Sequence, residues 1–296
     1  MIAEDPSRWL APVFQFHRSD TFRRLIFLLI GLGVYTALLA YLEIDFFHLR
    51  DSNPLKNITL MHGLLGFAIS MLLVFRTNTA YERWWEGRKL WGSLVNCSRN
   101  LAVKLHAFLP PEDQQGREWF AQVIGLFASE LRLHLLREQT RLALDERPHP
   151  ELPDLDRAKH VPVQLVTSLM QRLHRLQQEG HLSENQMLLM NPDVTAFLDI
   201  CGACERIKNT PIPYTYTAFI KKFIVAYSIT LPLGYVFVLS WLAVPVVVFV
   251  FYVLASLELI AEQIEDPFGY DSNDLPMDRL AQVITSNVKD ILGDQD

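Results

Sequence analysis

The 296-residue sequence predicts an all-α integral membrane protein with four membrane-crossing helices and a helical cytosolic domain. Three windows contain no charged residue, whereas the charges crowd into the middle of the chain. Within that middle region, apolar residues recur at helical spacing with almost no strand-like alternation. Such segregation is typical of one membrane part and one water-exposed part. The net charge of −6 argues against a nucleic-acid partner, because nucleic-acid binders carry a basic face.

The three uncharged windows define the predicted crossings. Residues 25–42 and 58–75 are each 18 residues long; at a rise of 1.5 Å per residue each spans about 27 Å, close to the ~30 Å hydrocarbon layer. The third window, 223–257, has 35 residues, which is enough for two crossings. Pro232 and the segment 239–245 favour a helical hairpin, and one long, Pro-kinked helix is the alternative.

Lysine and arginine residues predict the orientation in the membrane. Basic residues flank the cytosolic ends of the windows, namely Arg18, Arg23, Arg24, Arg76, Arg83, Lys221 and Lys222. The loop 43–57 carries only two basic residues against three acidic ones. The positive-inside rule therefore places both termini and the middle of the chain in the cytosol.

The sequence divides into five predicted segments. They are a cytosolic N-terminal segment (1–24), membrane helices 1 and 2 (25–75), a cytosolic helical domain (76–222), a membrane hairpin (223–260) and an acidic cytosolic C-terminal segment (261–296). Since no proline interrupts 58–109, membrane helix 2 is expected to continue into the cytosol until Pro110–Pro111. Further amphipathic helices are expected at 119–137 and 163–182, separated by an exposed Pro-rich loop at 145–162. Asn191–Asp193 is expected to cap a helix running to about Ile207.

Phe67, Met71 and Phe75 recur every four residues along membrane helix 2. Small residues nearby, such as Gly63 and Gly66, permit close helix packing. This spacing fits an ordinary packing face, and it also fits a hydrophobic constriction that gates a pore by dewetting. Spacing alone leaves both interpretations open.

The remaining reactive residues give no catalytic constellation, so an enzyme is not expected. Cys201 and Cys204 have CxxC spacing, but no second pair of ligands accompanies them, which favours two buried helix cysteines. His62 lies near the start of its apolar window and is expected near the membrane–water interface on the side opposite the cytosol. The carboxylates that follow the last window, including Glu265 and Asp266, could bind Ca²⁺, although their spacing is not that of an EF-hand and such clusters are more often solvated faces.

Three runs resemble motifs of bacterial members of the bestrophin family. They are FRTNTAYERWWEGRKLWG (75–92), CERIKNTPIP (204–213) and IEDPFGYDSNDLP (264–276). They occur in the order found in that family, and the resemblance covers nearly the whole chain.

The resemblance implies a homopentameric channel whose second membrane helices line a central pore. It assigns the neck of that pore to Phe67, Met71 and Phe75, with Arg76 and Asn78 at its cytosolic mouth. It also implies a second, cytosolic aperture within 183–187, for which Gln186 and Met187 are the candidates.

The resemblance further implies a passive channel for small monovalent ions in the bacterial inner membrane, with chloride conduction favoured over a sodium-selective alternative. Animal members are opened by calcium at an acidic clasp; Glu265 and Asp266 match its start, but Pro267–Gly269 interrupts the acidic run, and no cofactor is expected. The expected partners are other copies of the chain, membrane lipid and small inorganic ions. A coupled secondary transporter is less expected, because no inverted repeat and no intramembrane ionisable residue besides His62 are evident.

Overall fold

The computed structural model describes residues 20–47, 58–136, 159–271 and 273–293, and every regular element among them is helical. The helices are α1 (Asp20–Ala40, continued by a π-helical turn, Tyr41–Phe46), α2 (Ile58–Phe108), α3 (Gln114–Leu136), α4 (Val161–Gln178), α5 (Glu184–Asn209), α6 (Tyr214–Thr230), α7 (Pro232–Leu239), α8 (Ala243–Glu265) and α9 (Met277–Gly293). The predicted N-terminal segment before residue 20, most of the loop 43–57 and most of the loop 145–162 lie outside the described residues.

The chain forms two compact units. The membrane unit contains the described residues of 2–82 and 212–265, and the amphipathic unit contains those of 83–211 and 266–296. Helix α2 contributes residues to both, because it runs from Ile58 to Phe108 without interruption, as predicted. Of the unit boundaries, the one at 82/83 lies inside α2, whereas 211/212 lies between α5 and α6 and 265/266 lies at the end of α8.

Four helical stretches of the described chain are long and apolar enough to cross a membrane: Thr21–Phe46, Ile58–Phe108, Glu184–Asn209 and Tyr214–Glu265. Helix α5 (Glu184–Asn209) packs into the core of the amphipathic unit, where its Asp193 pairs with Lys104 at 2.6 Å. The stretch Tyr214–Glu265 contains two crossings rather than one. We therefore assign the crossings to α1, the first part of α2, α6–α7 and α8.

The last two crossings form the predicted hairpin. A 3₁₀ turn (Ser240–Leu242) separates α7 from α8, and α8 packs back against both α6 and α7. Ser240 has φ 52°, a backbone conformation that L-residues rarely adopt, and this reverses the chain direction. Lys221, in the first half of α6, pairs with Glu262, in the last turn of α8, at 2.8 Å. This antiparallel pairing excludes a single kinked helix.

The main apolar cluster of the membrane unit is small. It is formed by α1, α2, α6 and α8, through Leu25, Leu29, Ile69, Leu73, Ile220, Ile224, Phe251, Leu254 and Ala255. Tyr227 packs against Gly66 so closely that a Cβ atom there would lie 2.9 Å from the Tyr227 hydroxyl. Much of α1 and α2 remains exposed within one chain, and this surface must therefore face lipid or other copies.

The amphipathic unit has a single large core, to which α2, α3, α4, α5 and α9 contribute. Helices α3 and α9 pack closely where Gly125 leaves room for Thr285; a Cβ at Gly125 would lie 2.9 Å from the threonine hydroxyl. Cys201 and Cys204 are buried in this core, as predicted.

One sequence-based prediction for this unit was wrong, and another was incomplete. Asn191–Asp193 does not cap a helix; α5 begins at Glu184, and Pro192 lies inside it. The stronger start signal is a capping box, in which Ser183 and Gln186 bond reciprocally to each other's backbone N–H. The acidic C-terminal segment contains α9, whose apolar residues follow the helical period from Met277 to Leu292.

Candidate functional site

Helix α2 presents two different faces within the membrane unit. The face that packs against the rest of the unit carries His62, Ile69, Leu73, Arg76 and Ala80, all of them buried. At 3.6 residues per turn, Phe67, Met71 and Phe75 lie on the opposite side of the helix. Their side chains are 69%, 44% and 57% exposed. The three residues predicted for a pore neck therefore share one apolar face, which the other described residues leave uncovered.

Arg76 does not lie on that face. Its side chain is fully buried, and its Nη2 atom donates to Glu265 Oε2 at 2.7 Å. Its Nε atom lies 3.6 Å from Glu258 Oε2. The structure thus separates Arg76 from Asn78, with which it was predicted to form the mouth of a pore. The reason is the pair of carboxylates on α8, which hold the guanidinium on the packed side of α2.

Glu265 also accepts from the Ile212 amide, at 2.7 Å. One carboxylate therefore links α2, the chain segment before α6, and the end of α8. Because the guanidinium is buried, a rotation of α2 that carried Arg76 out of this position would leave uncompensated charges in a low-dielectric region. Phe75 is the next residue in the chain, so the same contacts fix the direction in which the apolar face points.

Asn78 is exposed on the same side of α2 as Phe75, as the prediction requires. Glu82, one turn further on, shares this side and is also exposed. Sequence reasoning passed over Glu82, although one further step of four residues from Asn78 would have reached it. Going from Phe67 to Glu82, this face changes from apolar to polar and then to acidic.

The candidate aperture residues lie in the first turn of α5. Gln186 is half-buried, and its Oε1 accepts from the Ser183 amide at 2.8 Å. Met187 packs against the core of the amphipathic unit. Leu188 and Leu189, which sequence reasoning did not single out, are instead 65% and 56% exposed. The Gln186 amide oxygen is thus engaged in a helix cap, and the two exposed side chains that follow Met187 are aliphatic.

The two candidate calcium ligands belong to different units, and each pairs with a cation of its own unit. Glu265 binds Arg76 in the membrane unit, and Asp266 binds Lys208 in the amphipathic unit at 2.6 Å. Asp266 also accepts from the Phe268 amide at 3.2 Å. A calcium ion would have to compete with these charge-assisted bonds for either carboxylate.

Within the amphipathic unit, the three sequence motifs contact one another. Arg83 donates to the carbonyls of Ile207 and Thr210, both at 2.6 Å, and the Trp84 indole donates to the Asn273 carbonyl at 3.0 Å. Gly87 lies against Phe268, where a Cβ would come within 3.1 Å of the ring. The motifs are therefore one structural assembly rather than three separate sites.

Asp274 is a buried carboxyl group in this assembly. Its Oδ2 accepts from the Asp271 amide at 2.6 Å. Burial raises the pKa of Asp274 to about 6, and the charges of Asp271 and Asp266 act in the same direction. The protein therefore binds a proton at Asp274 more readily when folded than when unfolded.

His62 is buried within the membrane unit. It is 2% exposed, with its ring nitrogens against the Ile58 carbonyl at 2.9 Å and the Thr230 hydroxyl at 3.1 Å. Helix α6 covers this position, and the placement of His62 near the outer membrane–water interface stays a prediction. A histidine whose two ring nitrogens are both hydrogen-bonded to fixed neighbours stabilises helix packing and is not free to bind a transported ion.

Comparison with known proteins identifies close relatives of the chain. The model of the family described as bacterial/fungal bestrophin proteins matches residues 1–290. A voltage-dependent anion channel-forming protein of Synechocystis is 34% identical over 234 residues, covering 77% of this chain and 75% of that protein. A protein of the same description from Escherichia coli K12 is 31% identical over 291 residues, covering 96% and 91%. The crystal structure of a bacterial bestrophin homologue from Klebsiella pneumoniae superposes with a TM-score of 0.78 at 27% identity, covering 92% of this chain and all of that one.

Replacing Arg76 with Gln is expected to lower the free energy of unfolding by about 3–5 kcal/mol, because Glu258 and Glu265 would lose their buried counter-charge. Thermal unfolding in detergent measures the loss. The control is Arg206→Gln, which breaks an exposed pair with Glu86 and should cost about 1 kcal/mol or less. Adding Glu265→Gln to Arg76→Gln should recover part of the stability, and equal losses in the two single variants would contradict this role for Arg76.

Asp274→Asn is expected to remove a pH-dependent part of the stability. The folded pKa of about 6 exceeds the unfolded value of about 3.9, so the protonated group stabilises the fold at low pH and this contribution is lost as pH rises from about 4 to 6. The variant, measured by denaturant unfolding, should therefore gain up to about 3 kcal/mol relative to the parent protein over that window. Asp278→Asn, at an exposed carboxylate, is the control. A stability difference between Asp274→Asn and the parent that does not change with pH would contradict the prediction.

Proposed function

Since this chain belongs to the bacterial and fungal bestrophin family, we propose that it forms a passive channel for small anions, assembled from five copies around a central pore. The observation that carries the proposal is the uncovered apolar face of Phe67, Met71 and Phe75. A helix in a single membrane protein chain would normally turn such a face to lipid. The polar continuation of the same face, through Asn78 to Glu82, favours a water-filled path instead.

The neck controls ion passage by whether or not water fills it. Five copies of three stacked apolar side chains would surround a narrow passage, and water leaves such a passage when its walls offer no hydrogen bonds. Ions cannot then pass, because they cannot shed their hydration shells into an apolar ring. Small movements of α2 that widen the ring would rewet it. The Phe and Met side chains therefore set the barrier, and Arg76 sets the direction in which they point.

The preference for anions is supported by the Synechocystis and Escherichia coli relatives, which are both described as anion channel-forming proteins. The apolar neck carries no charge that would choose an ion sign. Glu82 supports the alternative of a sodium-selective channel of the same fold, because five exposed carboxylates on the pore face would attract cations. Conduction without calcium is part of the proposal, since Glu265 and Asp266 are engaged by Arg76 and Lys208.

The proposed orientation places both termini and the amphipathic unit in the cytosol of a bacterium, with the membrane unit in the inner membrane. It is supported by the basic residues at the cytosolic ends of the crossings. The proposed partners are four further copies of the chain, membrane lipid and small ions. A coupled transporter is disfavoured by His62, whose ring nitrogens are both engaged by neighbours.

Replacing Phe67, Met71 and Phe75 together with Ala should increase the single-channel conductance or the open probability severalfold, because the widened neck stays wet. Purified protein in planar bilayers gives the measurement. Phe249→Ala is the matched control, since Phe249 is an exposed phenylalanine on α8 in the same unit. Unchanged unitary currents in the triple variant would contradict the assignment of the neck.

The same recordings under asymmetric NaCl test the ion sign. The proposal expects a reversal potential near that of chloride, and Glu82→Gln should leave that sign unchanged. A reversal potential near that of sodium, shifted toward zero by Glu82→Gln, would instead establish the cation-selective alternative.

A further inference from the structure

Two histidines and a glutamate converge in the amphipathic unit, away from the residues assigned to conduction. His134 lies in the last turn of α3, His160 directly precedes α4, and Glu205 lies on α5. The Nε2 atoms of both imidazoles approach the same carboxylate oxygen, Glu205 Oε1, at 2.6 Å and 2.5 Å. The two rings lie 4.5 Å apart, centre to centre. Three segments of the chain thus direct one potential ligand each toward a common point.

The geometry suits a metal ion. One ligand atom from each residue lies within 4.8 Å of the others. Tetrahedral coordination with bonds of about 2.0–2.2 Å places ligand atoms roughly 3.3 Å apart. The imidazole–carboxylate distances would have to open by less than about 1 Å, which side-chain rotation provides. The cluster is therefore close to a coordinating arrangement without a change in the backbone.

The ligand types define the class of ion. Neutral imidazoles and one carboxylate suit borderline transition metals, above all Zn²⁺, whereas Ca²⁺ and Mg²⁺ prefer oxygen ligands alone. All three side chains are only partly buried, with side-chain exposures between 27% and 36%. A fourth position can therefore be filled by water, and the ion can enter from solvent.

One existing contact opposes metal binding, but only weakly. His160 Nδ1 accepts from the Val163 amide at 3.4 Å, near the limit of a hydrogen bond. Coordination through Nε2 would leave the ring proton on Nδ1 and break that contact. The loss is small beside three metal–ligand bonds.

We propose that His134, His160 and Glu205 bind a divalent transition metal ion of the zinc class, which ties the end of α3 and the start of α4 to α5. The ion would replace two hydrogen bonds with a three-way link among these elements. Because only the folded chain brings the ligands together, binding would stabilise the amphipathic unit by mass action. This proposal does not depend on whether the chain conducts anions or cations.

The test uses the full-length protein in detergent, stripped of metal with a chelator and then titrated with Zn²⁺ against a chromophoric competitor. The expected result is one tight equivalent per chain, together with a rise in the unfolding temperature. His134→Gln, His160→Gln and Glu205→Gln should each weaken binding at least tenfold. His174→Gln is the matched control, because His174 is an exposed histidine on α4 that bonds only to Gln178 within the described contacts.

Substitution with Co²⁺ keeps the test decisive where a variant fails to fold. Tetrahedral Co²⁺ in the parent protein should give a strong visible absorption that Zn²⁺ displaces. Weak octahedral absorption in the parent protein would overturn the proposal. So would equal Zn²⁺ affinity in the parent protein and in a variant that combines His134→Gln, His160→Gln and Glu205→Gln; the three residues would then be only a hydrogen-bonded triad.

Discussion

The buried charge of Arg76 is the constraint on which the membrane unit depends. A guanidinium cannot remain in an apolar environment without counter-charges, and here Glu265 and Glu258 supply them from α8. Since Arg76 follows Phe75 directly, the same ion pair determines which side of α2 faces inward and which faces outward. The apolar face of Phe67, Met71 and Phe75 is therefore fixed by electrostatics at one end of that face rather than by contacts of the three residues themselves.

This arrangement gives the three sequence motifs a common physical purpose. Arg76 belongs to the first motif, Ile212 to the second and Glu265 to the third, and the three meet at one carboxylate. In the amphipathic unit, Arg83, Trp84 and Gly87 contact the second and third motifs again. The motifs therefore hold α2 in place in each unit, and a channel built on this helix needs its rotation to be fixed.

Hydropathy and helical spacing predicted most of the fold, because a membrane demands long uncharged windows and the helical period is visible in one chain. The hairpin followed from Pro232 and the length of its window. Spacing could not decide what Phe67 faces, since an apolar helix face is compatible with lipid, with another helix and with a pore. It also could not reveal that Arg76 points away from Asn78, because that depends on carboxylates nearly two hundred residues later. Helix α9 and the capping box at Ser183 could both have been predicted from the sequence. The acidic composition of the C-terminal segment obscured α9, and Pro192 suggested too late a start for α5.

Cysteine accessibility along α2 shows which of its faces lines the pore. In protein whose native cysteines have been replaced, single cysteines are introduced at Phe67, Ile69, Met71, Leu73 and Phe75, and a charged thiol reagent is applied during current recording. Rapid block is expected at positions 67, 71 and 75 and none at 69 and 73, and the contrast should be lost when Arg76→Gln is added. Block at Ile69, or none at Phe67 and Met71, would contradict this assignment of the pore-lining face.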